Sequence, residues 1–352
     1  MRILLVSQMY PGPSDPDLGA FVAQIERELE RQGHVIARAV IDARGGPRTK
    51  HARLVIDAVR EARSFRPDVV FAHFLFPAGA AGALASLAAR APLVVMAHGR
   101  DVRNLSAVPG VRAVTRLALR RAGAVIANSR FLREQLVRQI PEVAPRVQVI
   151  DSGVDLERFR GREPGEARAR VGWEDGGGPR YLFVGTLDER KNVVRLARAF
   201  ERLGRGSLAL VGEGPARPEL EGVGGARLVG RVSPAEVSDW IAACDVLCLP
   251  SLVEPFGQGL LEAMASERSV VATRVGGPPE FVPAEAGVLV DPESEDSILE
   301  GLRAAAALPS PNHVARRAAA EHDVRRQVAR MAAGMGRLTA GGAWEEVPAR
   351  PL

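Results

Sequence analysis

Two carboxylates flank a glycine-rich turn in the segment Glu254-Pro-Phe-Gly-Gln-Gly-Leu-Leu-Glu262. An apolar strand pattern precedes the segment and a helical pattern follows its glycines, which indicates a strand, a loop and a helix N-terminus. Backbone N–H groups at such a place attract anions, phosphates above all. Glu254 is expected on the loop and Glu262 about two turns along, on the helix. This spacing suits a sugar hydroxyl and a ribose, and so a nucleotide-sugar rather than a metal.

Short apolar strand patterns alternate with helix-length segments along the whole chain, which is typical of βαβ units and parallel sheets. The patterns form two series, so we predict an α/β protein of two doubly wound, Rossmann-like domains that face each other across a cleft. The first domain is expected at 1–158 and the second at 159–321. A helix at about 322–340 would pack back on the first domain, and a tail, 341–352, would be disordered.

The unusual loops of the chain come directly after the predicted strands. Ligands of doubly wound sheets bind beyond the carboxyl ends of the strands, so these loops should surround one site. His73 ends one strand pattern, 68–73, and His98 follows the next, 93–97, in a tight His-Gly turn. A lone histidine is more often structural, but this position favours a functional role for His98, whereas His73 fits the acceptor side and the core equally well.

Length and composition exclude several classes of protein. The 352 residues suit two domains rather than one. No apolar run reaches the roughly 20 residues that a membrane span needs, and the first residues read as a strand rather than a signal peptide. With two cysteines and no export signal, we expect a cytoplasmic protein, either free or peripheral at the inner face of the membrane.

Positive charge is concentrated between residues 103 and 146, which hold nine arginines and two glutamates. Arg112, Arg116 and Arg120 recur every four residues, along one face of a predicted helix. This face is either simply solvated or contacts an anionic partner, such as a membrane surface or a lipid-phosphate acceptor. Nucleic acid is not expected, because the patch lacks interleaved aromatic residues and no binding motif accompanies it.

Several motifs occur in the order seen in the retaining glycosyltransferases of family 4, which have the GT-B fold. They are Asp-Ser-Gly-Val-Asp at 151–155, Phe-Val-Gly-Thr-Leu-Asp-Glu-Arg-Lys-Asn at 183–192, Val-Gly-Glu-Gly-Pro at 211–215, Glu-Pro-Phe-Gly-x4-Glu at 254–262 and Val-Gly-Gly-x-Pro-Glu at 275–280. The chain resembles this family over nearly its whole length. Its first-half loops, with Gly-Ala-Phe-Val at 19–22 and Ala-His-Gly-Arg-Asp at 97–101, look most like enzymes that build cell-surface polysaccharides, including teichuronic-acid-type transferases.

The resemblance implies four catalytic residues. Arg190 and Lys191 would clamp the donor diphosphate, although Thr186 stands where the family often has an arginine. Glu254 would accept hydrogen bonds from the donor sugar, and His98 would form a hydrogen bond with the sugar near its reacting carbon. The N-terminal domain would bind the acceptor and the C-terminal domain the nucleotide-sugar.

The resemblance also implies binding residues. Glu262 would hold the ribose hydroxyls, and backbone N–H groups would meet the diphosphate and sugar at Gly19, Ala20, Phe256, Gly257, Gln258 and Gly259. The nucleobase region would comprise Gly212, Glu213, Arg231 and Val232, and the acceptor side His73, Asp101 and Asn128.

The function expected from these motifs is the retaining transfer of a hexose or hexosamine from a UDP- or GDP-linked sugar to a glycan or lipid-linked acceptor. No cofactor is expected, and a divalent metal should not be needed, because no Asp-x-Asp motif lies near the predicted cleft. Two alternatives stay open: a nucleotide-sugar epimerase of GT-B fold, and a non-enzymatic sugar-nucleotide-binding protein. A dinucleotide dehydrogenase is disfavoured, because the Gly-x-Gly-x-x-Gly fingerprint is absent after the first strand.

Overall fold

The computed structural model describes residues 1–47, 49–173 and 177–344. The chain divides into two compact units, one formed by Met1–Gly153 with the described residues from Val324 onward, the other by Val154–Asp323. Each unit holds one six-stranded parallel sheet with helices between its strands, which confirms the expected α/β class with two doubly wound, Rossmann-like halves. The expected disorder of the tail concerns mainly residues 345–352, which lie outside the described residues.

The sheet of the first unit has the strand order β2-β1-β3-β4-β5-β6. Its strands are β1 (Arg2–Ser7), β2 (Val35–Val40), β3 (Val69–His73), β4 (Leu93–Ala97), β5 (Ala122–Ala127) and β6 (Val147–Val149). The helices of this unit are α1 (Ala20–Arg31), α2 (Thr49–Phe65), α3 (Ala78–Ala89), α4 (Arg100–Arg103), α5 (Val111–Arg121) and α6 (Arg130–Gln139), followed at the end of the chain by α14 (Val324–Thr339), with a 3₁₀ helix at Pro141–Arg146.

Alternate residues of the central strands enter two different cores. In β3, Val69 and Phe71 pack with residues of α1 and α14, whereas Val70 and Ala72 pack with residues of α2, α3 and α5. Because helices cover both faces of the sheet, the strand is apolar throughout rather than alternating with polar residues. This continuous burial explains why the strand patterns are clear in the sequence.

The sheet of the second unit has the order β12-β11-β10-β7-β8-β9. Its strands are β7 (Arg180–Val184), β8 (Ser207–Val211), β9 (Ala226–Gly230), β10 (Val246–Leu249), β11 (Ser269–Thr273) and β12 (Gly287–Val290). Its helices are α7 (Pro164–Val171), α8 (Val193–Leu203), α9 (Arg217–Leu220), α10 (Pro234–Ala243), α11 (Gln258–Ala265), α12 (Glu295–Ala306) and α13 (His313–Ala320), with 3₁₀ turns at Glu189–Lys191 and Pro278–Glu280. The strand order places the loops after β7 and β10 side by side.

Candidate functional site

Lys191 and Glu254 meet beyond the carboxyl ends of the adjacent strands β7 and β10. The Nζ atom of Lys191 lies 2.6 Å from Oε2 of Glu254, and the two side chains are only 16% and 9% exposed. The Ser251 hydroxyl donates a 3.0 Å hydrogen bond to the same carboxylate oxygen. Two donors therefore orient the Glu254 carboxylate, and charge-assisted hydrogen bonds of this length are strong ones.

Local capping fixes the position of Lys191. The Asp188 side chain accepts a 2.8 Å hydrogen bond from the backbone N–H of Lys191, which closes the 3₁₀ turn. Asn192 adopts a left-handed conformation with φ 59°, and its side chain donates to the carbonyl oxygens of Pro250, at 2.9 Å, and Pro292, at 2.7 Å. These bonds tie the loop after β7 to the end of β10, so Lys191 is held beside Glu254.

Arg190 has a different partner from Lys191. Its guanidinium lies 3.8 Å from the Asp188 carboxylate, and its carbonyl oxygen accepts a 3.0 Å bond from the N–H of Leu252. The exposed Thr186 stands at the other end of the same loop. Of the two basic residues expected to clamp a diphosphate, the structure brings Lys191 to the carboxylate and leaves the Arg190 side chain one-third exposed beside Asp188.

The Glu254 loop is held by backbone pairing with a second glycine-containing loop. The backbone N–H of Glu254 donates to the carbonyl oxygen of Val275 at 3.1 Å, and the backbone carbonyl oxygen of Glu254 accepts from the N–H of Gly277 at 2.9 Å. Gly276 has φ 121°, and a Cβ added there would lie 2.0 Å from the Glu254 carbonyl oxygen. Only glycine fits this close approach without displacing the backbone that carries Glu254.

Helix α11 starts directly after this loop. Gly257, with φ 104°, precedes its first residue, Gln258, and Gly259 follows within the first turn. The first N–H groups of a helix have no intrahelical acceptor, and the helix dipole adds positive potential there. The Phe256 side chain is buried with its ring centroid 5.3 Å from that of Phe281, so only its backbone is placed to meet a ligand.

Glu262 lies further along α11 and is partly buried. Burial raises the pKa of its carboxyl to about 7, while the charge of Arg158 and a hydrogen bond from the Gln258 side chain act to lower it. The carboxyl group therefore changes its ionisation close to neutral pH. Arg158 was not among the residues that the motifs indicated.

The residues expected around a nucleobase lie at the ends of β8 and β9. Gly212 has φ 138°, and a Cβ there would lie 1.9 Å from the carbonyl oxygen of Gly185. The Glu213 carboxylate pairs with Arg217 at 3.1 Å, and its carbonyl oxygen accepts from Leu187 N at 3.0 Å. Two further expected residues follow β9 directly, the exposed Arg231 and the partly buried Val232.

In the first unit, His73 and His98 form a pair at the ends of the neighbouring strands β3 and β4. The Nδ1 atom of His73 lies 3.2 Å from Nε2 of His98, and the ring planes differ by only 16°. His98 also packs against Phe21 and Phe74, with ring centroids 4.7 and 4.6 Å away. Burial lowers the pKa of His73 to about 3 and that of His98 well below its usual value, so both rings are neutral near pH 7.

Asp101 organises the turn that carries His98. Its buried carboxylate accepts hydrogen bonds from the N–H groups of Gly99, His98 and Leu75, at 2.8, 3.1 and 3.0 Å. Burial raises the pKa of this carboxyl, and the backbone hydrogen bonds act to lower it. These hydrogen bonds orient the turn and join the loop after β4 to the loop after β3, whereas contact of Asp101 with an acceptor stays a prediction.

The other expected residues of the first unit also lie beyond strand ends. Gly19, with φ 65°, directly precedes Ala20, the first residue of α1, and a Cβ at Gly19 would lie 2.4 Å from Met9 O. Asn128 follows β5 and is buried, and its Oδ1 atom has no hydrogen-bond partner among the described residues. Such an unpaired buried oxygen is uncommon and marks Asn128 as a candidate ligand contact.

Sequence reasoning missed the residues that support the site. Asp188 could have been found, because an aspartate three residues before Lys191 has the spacing of an N-cap. Ser251, Phe21 and Phe74 left no comparable signal, since their roles depend on tertiary contacts.

The Arg112, Arg116 and Arg120 series lies on the exposed side of α5, and Arg116 forms an ion pair with Glu142.

Over residues 1–47, 49–173 and 177–344, no helix is both long and apolar enough to cross a membrane. In the same part of the chain, no three His, Cys, Asp or Glu side chains gather as metal ligands would. That donor binding needs no metal stays a prediction.

Comparisons with known proteins agree with the motifs and the fold. The family described as Glycosyltransferase Family 4 matches residues 10–158, and the one described as Glycosyl transferases group 1 matches residues 178–307. A Bacillus subtilis protein named as a teichuronic acid biosynthesis glycosyltransferase, TuaC, is 30% identical over 269 residues, which cover 73% of this chain and 65% of the relative. The match thus spans slightly less than two thirds of that relative.

Two solved structures share the fold at low sequence identity. Sucrose-phosphate synthase from Thermosynechococcus elongatus superposes with a TM-score of 0.78 at 19% identity, covering 97% of this chain and all of the other. HepE of Anabaena, solved with UDP-glucose, gives a TM-score of 0.74 at 22% identity, covering 95% of this chain and 99% of its own.

Proposed function

We infer that this chain, which belongs to the family 4 glycosyltransferases, moves a hexose or hexosamine from a nucleotide diphosphate sugar to an acceptor hydroxyl with retention of the anomeric configuration. One observation carries the proposal: the Lys191–Glu254 pair stands beside the N-terminus of α11. A cation, a carboxylate and the first backbone N–H groups of a helix provide complementary contacts for a diphosphate and the hydroxyls of a sugar.

The proposed reaction breaks the bond between the anomeric carbon and the diphosphate oxygen. The acceptor oxygen forms its bond to the same carbon on the face that the diphosphate leaves, and the acceptor proton passes to the departing diphosphate. Lys191 and the first N–H groups of α11 would stabilise the negative charge that develops on this leaving group. Retention follows from front-side attack, without a carboxylate acting as nucleophile.

The remaining side chains would hold the donor. Glu254, oriented by Lys191 and Ser251, would accept hydrogen bonds from sugar hydroxyls, and Glu262 would accept those of the ribose. His98 would hydrogen-bond the sugar near its reacting carbon as a neutral ring, because burial keeps its pKa low.

A UDP- or GDP-linked sugar is the proposed donor, bound without a divalent metal because Lys191 and the helix N-terminus supply positive charge. UDP-glucose is the first compound to test, since HepE of Anabaena was solved with it. The proposed acceptor is a glycan or a lipid-linked sugar, and the name of TuaC, which refers to teichuronic acid biosynthesis, supports a cell-surface polysaccharide.

A donor screen followed by product analysis tests the proposal. UDP- and GDP-sugars should raise the melting temperature in the presence of EDTA, because ligands that bind the folded state stabilise it. With the best donor and a panel of lipid-linked and free glycans, NMR should show the anomeric configuration of the donor kept in the product. An inverted product contradicts retention, binding that requires magnesium contradicts metal independence, and donor epimerisation without transfer supports an epimerase instead.

A further inference from the structure

The outer face of three neighbouring helices in the first unit combines exposed aliphatic residues with arginines. Helices α2, α3 and α5 cover the same side of the sheet, where α3 contacts both of the others. We propose that this surface, named here the α2–α3–α5 face, docks on an anionic lipid bilayer.

Exposed apolar residues are concentrated on this face. Of the ten large hydrophobic residues that are exposed within the described residues, six lie on these helices or on the loop that leads into α5: Ile56, Leu84, Leu87, Val108, Val114 and Leu117. Single exposed apolar residues are normal on a protein surface, but a concentration on one face indicates an interaction site.

Helix α3 is unusual for a surface helix because none of its twelve residues is charged. Leu84 and Leu87 are three positions apart, and so on the same side, and they are 48% and 57% exposed. A helix that faces water normally presents polar or charged side chains there. The outer side of α3 is therefore suited to an apolar environment.

Helix α5 adds positive charge around an apolar centre. Its buried side consists of Val111, Thr115, Ala118 and Leu119. On the outer side, Leu117 is 68% exposed, and a shallow groove of about 380 Å³ lies between it and Arg112, Arg116 and Arg120. Among the described residues, neither Arg112 nor Arg120 forms an ion pair, although the charge of Arg120 acts on Glu142, the partner of Arg116. The charge of Arg112 is therefore the one most available to a partner.

This combination favours a bilayer over other partners. Aliphatic residues can enter the boundary between headgroups and acyl chains, while arginines keep their guanidinium groups among anionic headgroups. Each basic residue near such a surface strengthens binding roughly fivefold. A single-stranded nucleic acid would call for aromatic residues to stack on its bases, and the six exposed apolar residues are all aliphatic.

Docking here would bring lipid-linked acceptors close to the acceptor-side loop. The short helix α4 starts within the His98–Asp101 turn, and the loop that follows it leads into α5. This loop carries the exposed Val108. This consequence rests on the proposed function, whereas binding to lipid does not, so a binding assay without any transfer step tests the surface independently.

Vesicle sedimentation provides that assay. The full chain should sediment with vesicles of phosphatidylcholine and phosphatidylglycerol at low salt, and not with vesicles of phosphatidylcholine alone. The variant R112Q/R116Q/R120Q should bind anionic vesicles at least tenfold more weakly. The variant L87S/L117S should retain part of its binding at low salt, because its arginines still attract the anionic headgroups. At high salt this attraction is screened and apolar insertion is the main contribution, so the variant should no longer bind.

Matched variants control for general effects of charge and hydrophobicity. R198Q/R205Q/R303Q removes three exposed arginines from the second unit, and V35S/L289S removes two exposed apolar residues outside the face; both should bind like the parent chain. Melting temperatures confirm that each variant is folded. Equal loss in the controls, no binding by the parent chain, or a dimer in light scattering that L87S/L117S dissociates would each overturn the proposal.

Discussion

The Nδ1 atom of His73 lies 3.2 Å from the Nε2 atom of His98, so two neutral imidazoles share one hydrogen bond at the ends of β3 and β4. His73 is fully buried, and its Nε2 atom has no hydrogen-bond partner among the described residues. His73 therefore makes its side-chain hydrogen bond with the ring expected to contact the donor sugar. Through that hydrogen bond His73 can fix the orientation of the His98 ring. The same bond determines which of the two ring nitrogens of His98 carries the proton.

Substitution of His73 tests whether this contact serves catalysis. We expect His73→Leu to lower kcat/KM about tenfold, which corresponds to about 1.4 kcal/mol, because His98 loses the partner that orients it. Donor affinity measured by calorimetry should change little. Thr115→Val is the control, since it also removes a buried polar atom of the same unit that has no partner among the described residues. Equal kinetic losses in the two variants would assign His73 a purely structural role.

Lys191→Ala should lower kcat/KM at least tenfold, because it removes the cation that would stabilise the leaving diphosphate. It also leaves Glu254, which is 9% exposed at its side chain, without its ion-pair partner, so the melting temperature should fall. Lys191→Arg should recover part of the stability, with weaker recovery of the rate because the two cations differ in shape.

The other lysine of the chain supplies a control for Lys191. The Nζ atom of Lys50 donates to the carbonyl oxygens of Ala43, Arg44 and Gly45 at 3.1, 2.8 and 3.0 Å. Lys50→Ala should therefore lower the melting temperature while leaving kcat/KM unchanged. If Lys191→Ala behaves in the same way, Lys191 is a structural lysine and the proposed donor site is wrong.

Donor affinity should depend on pH through Glu262. Because burial raises the pKa of this carboxyl to about 7, it is largely protonated near pH 6 and largely ionised near pH 8. Only the ionised form can accept hydrogen bonds from both ribose hydroxyls with full charge assistance, so the Kd for UDP-glucose should rise as pH falls. Glu262→Gln should bind more weakly at high pH and show a flatter profile. A parent profile identical to that of Glu262→Gln would remove the residue from the ribose site.

The same carboxyl contributes to the pH dependence of folding. Its pKa in the folded protein lies above its ordinary value of 4.5, so the folded state binds more protons than the unfolded state between these two values. The contribution of Glu262 to stability therefore decreases as pH rises from about 4.5 to about 7. Chemical denaturation across this range should show a smaller decrease for Glu262→Gln.

The sequence allowed the fold and the positions of the candidate residues to be predicted, because buried parallel strands are apolar throughout and their carboxyl ends carry the unusual loops. It could not reveal which of those residues touch. Lys191 and Glu254 are 63 positions apart, and their contact depends on β10 lying beside β7. The hydrogen bond between His73 and His98 likewise depends on side-chain packing, which left the sequence unable to choose between acceptor side and core for His73.

The close approach of two loops at Gly276 gives a last test of the proposed donor site. Alanine at this position would meet both a positive φ of 121° and the Glu254 carbonyl oxygen at 2.0 Å, so the backbone that carries Glu254 must shift. Gly276→Ala should weaken UDP-glucose binding at least tenfold. Gly222→Ala is a matched control, because φ there is 90° and no atom lies within 4 Å of the added carbon. That variant should show only the cost of the left-handed backbone, about 1–2 kcal/mol of stability, with unchanged affinity. Equal donor affinity in the two variants would show that the position of Glu254 does not govern binding.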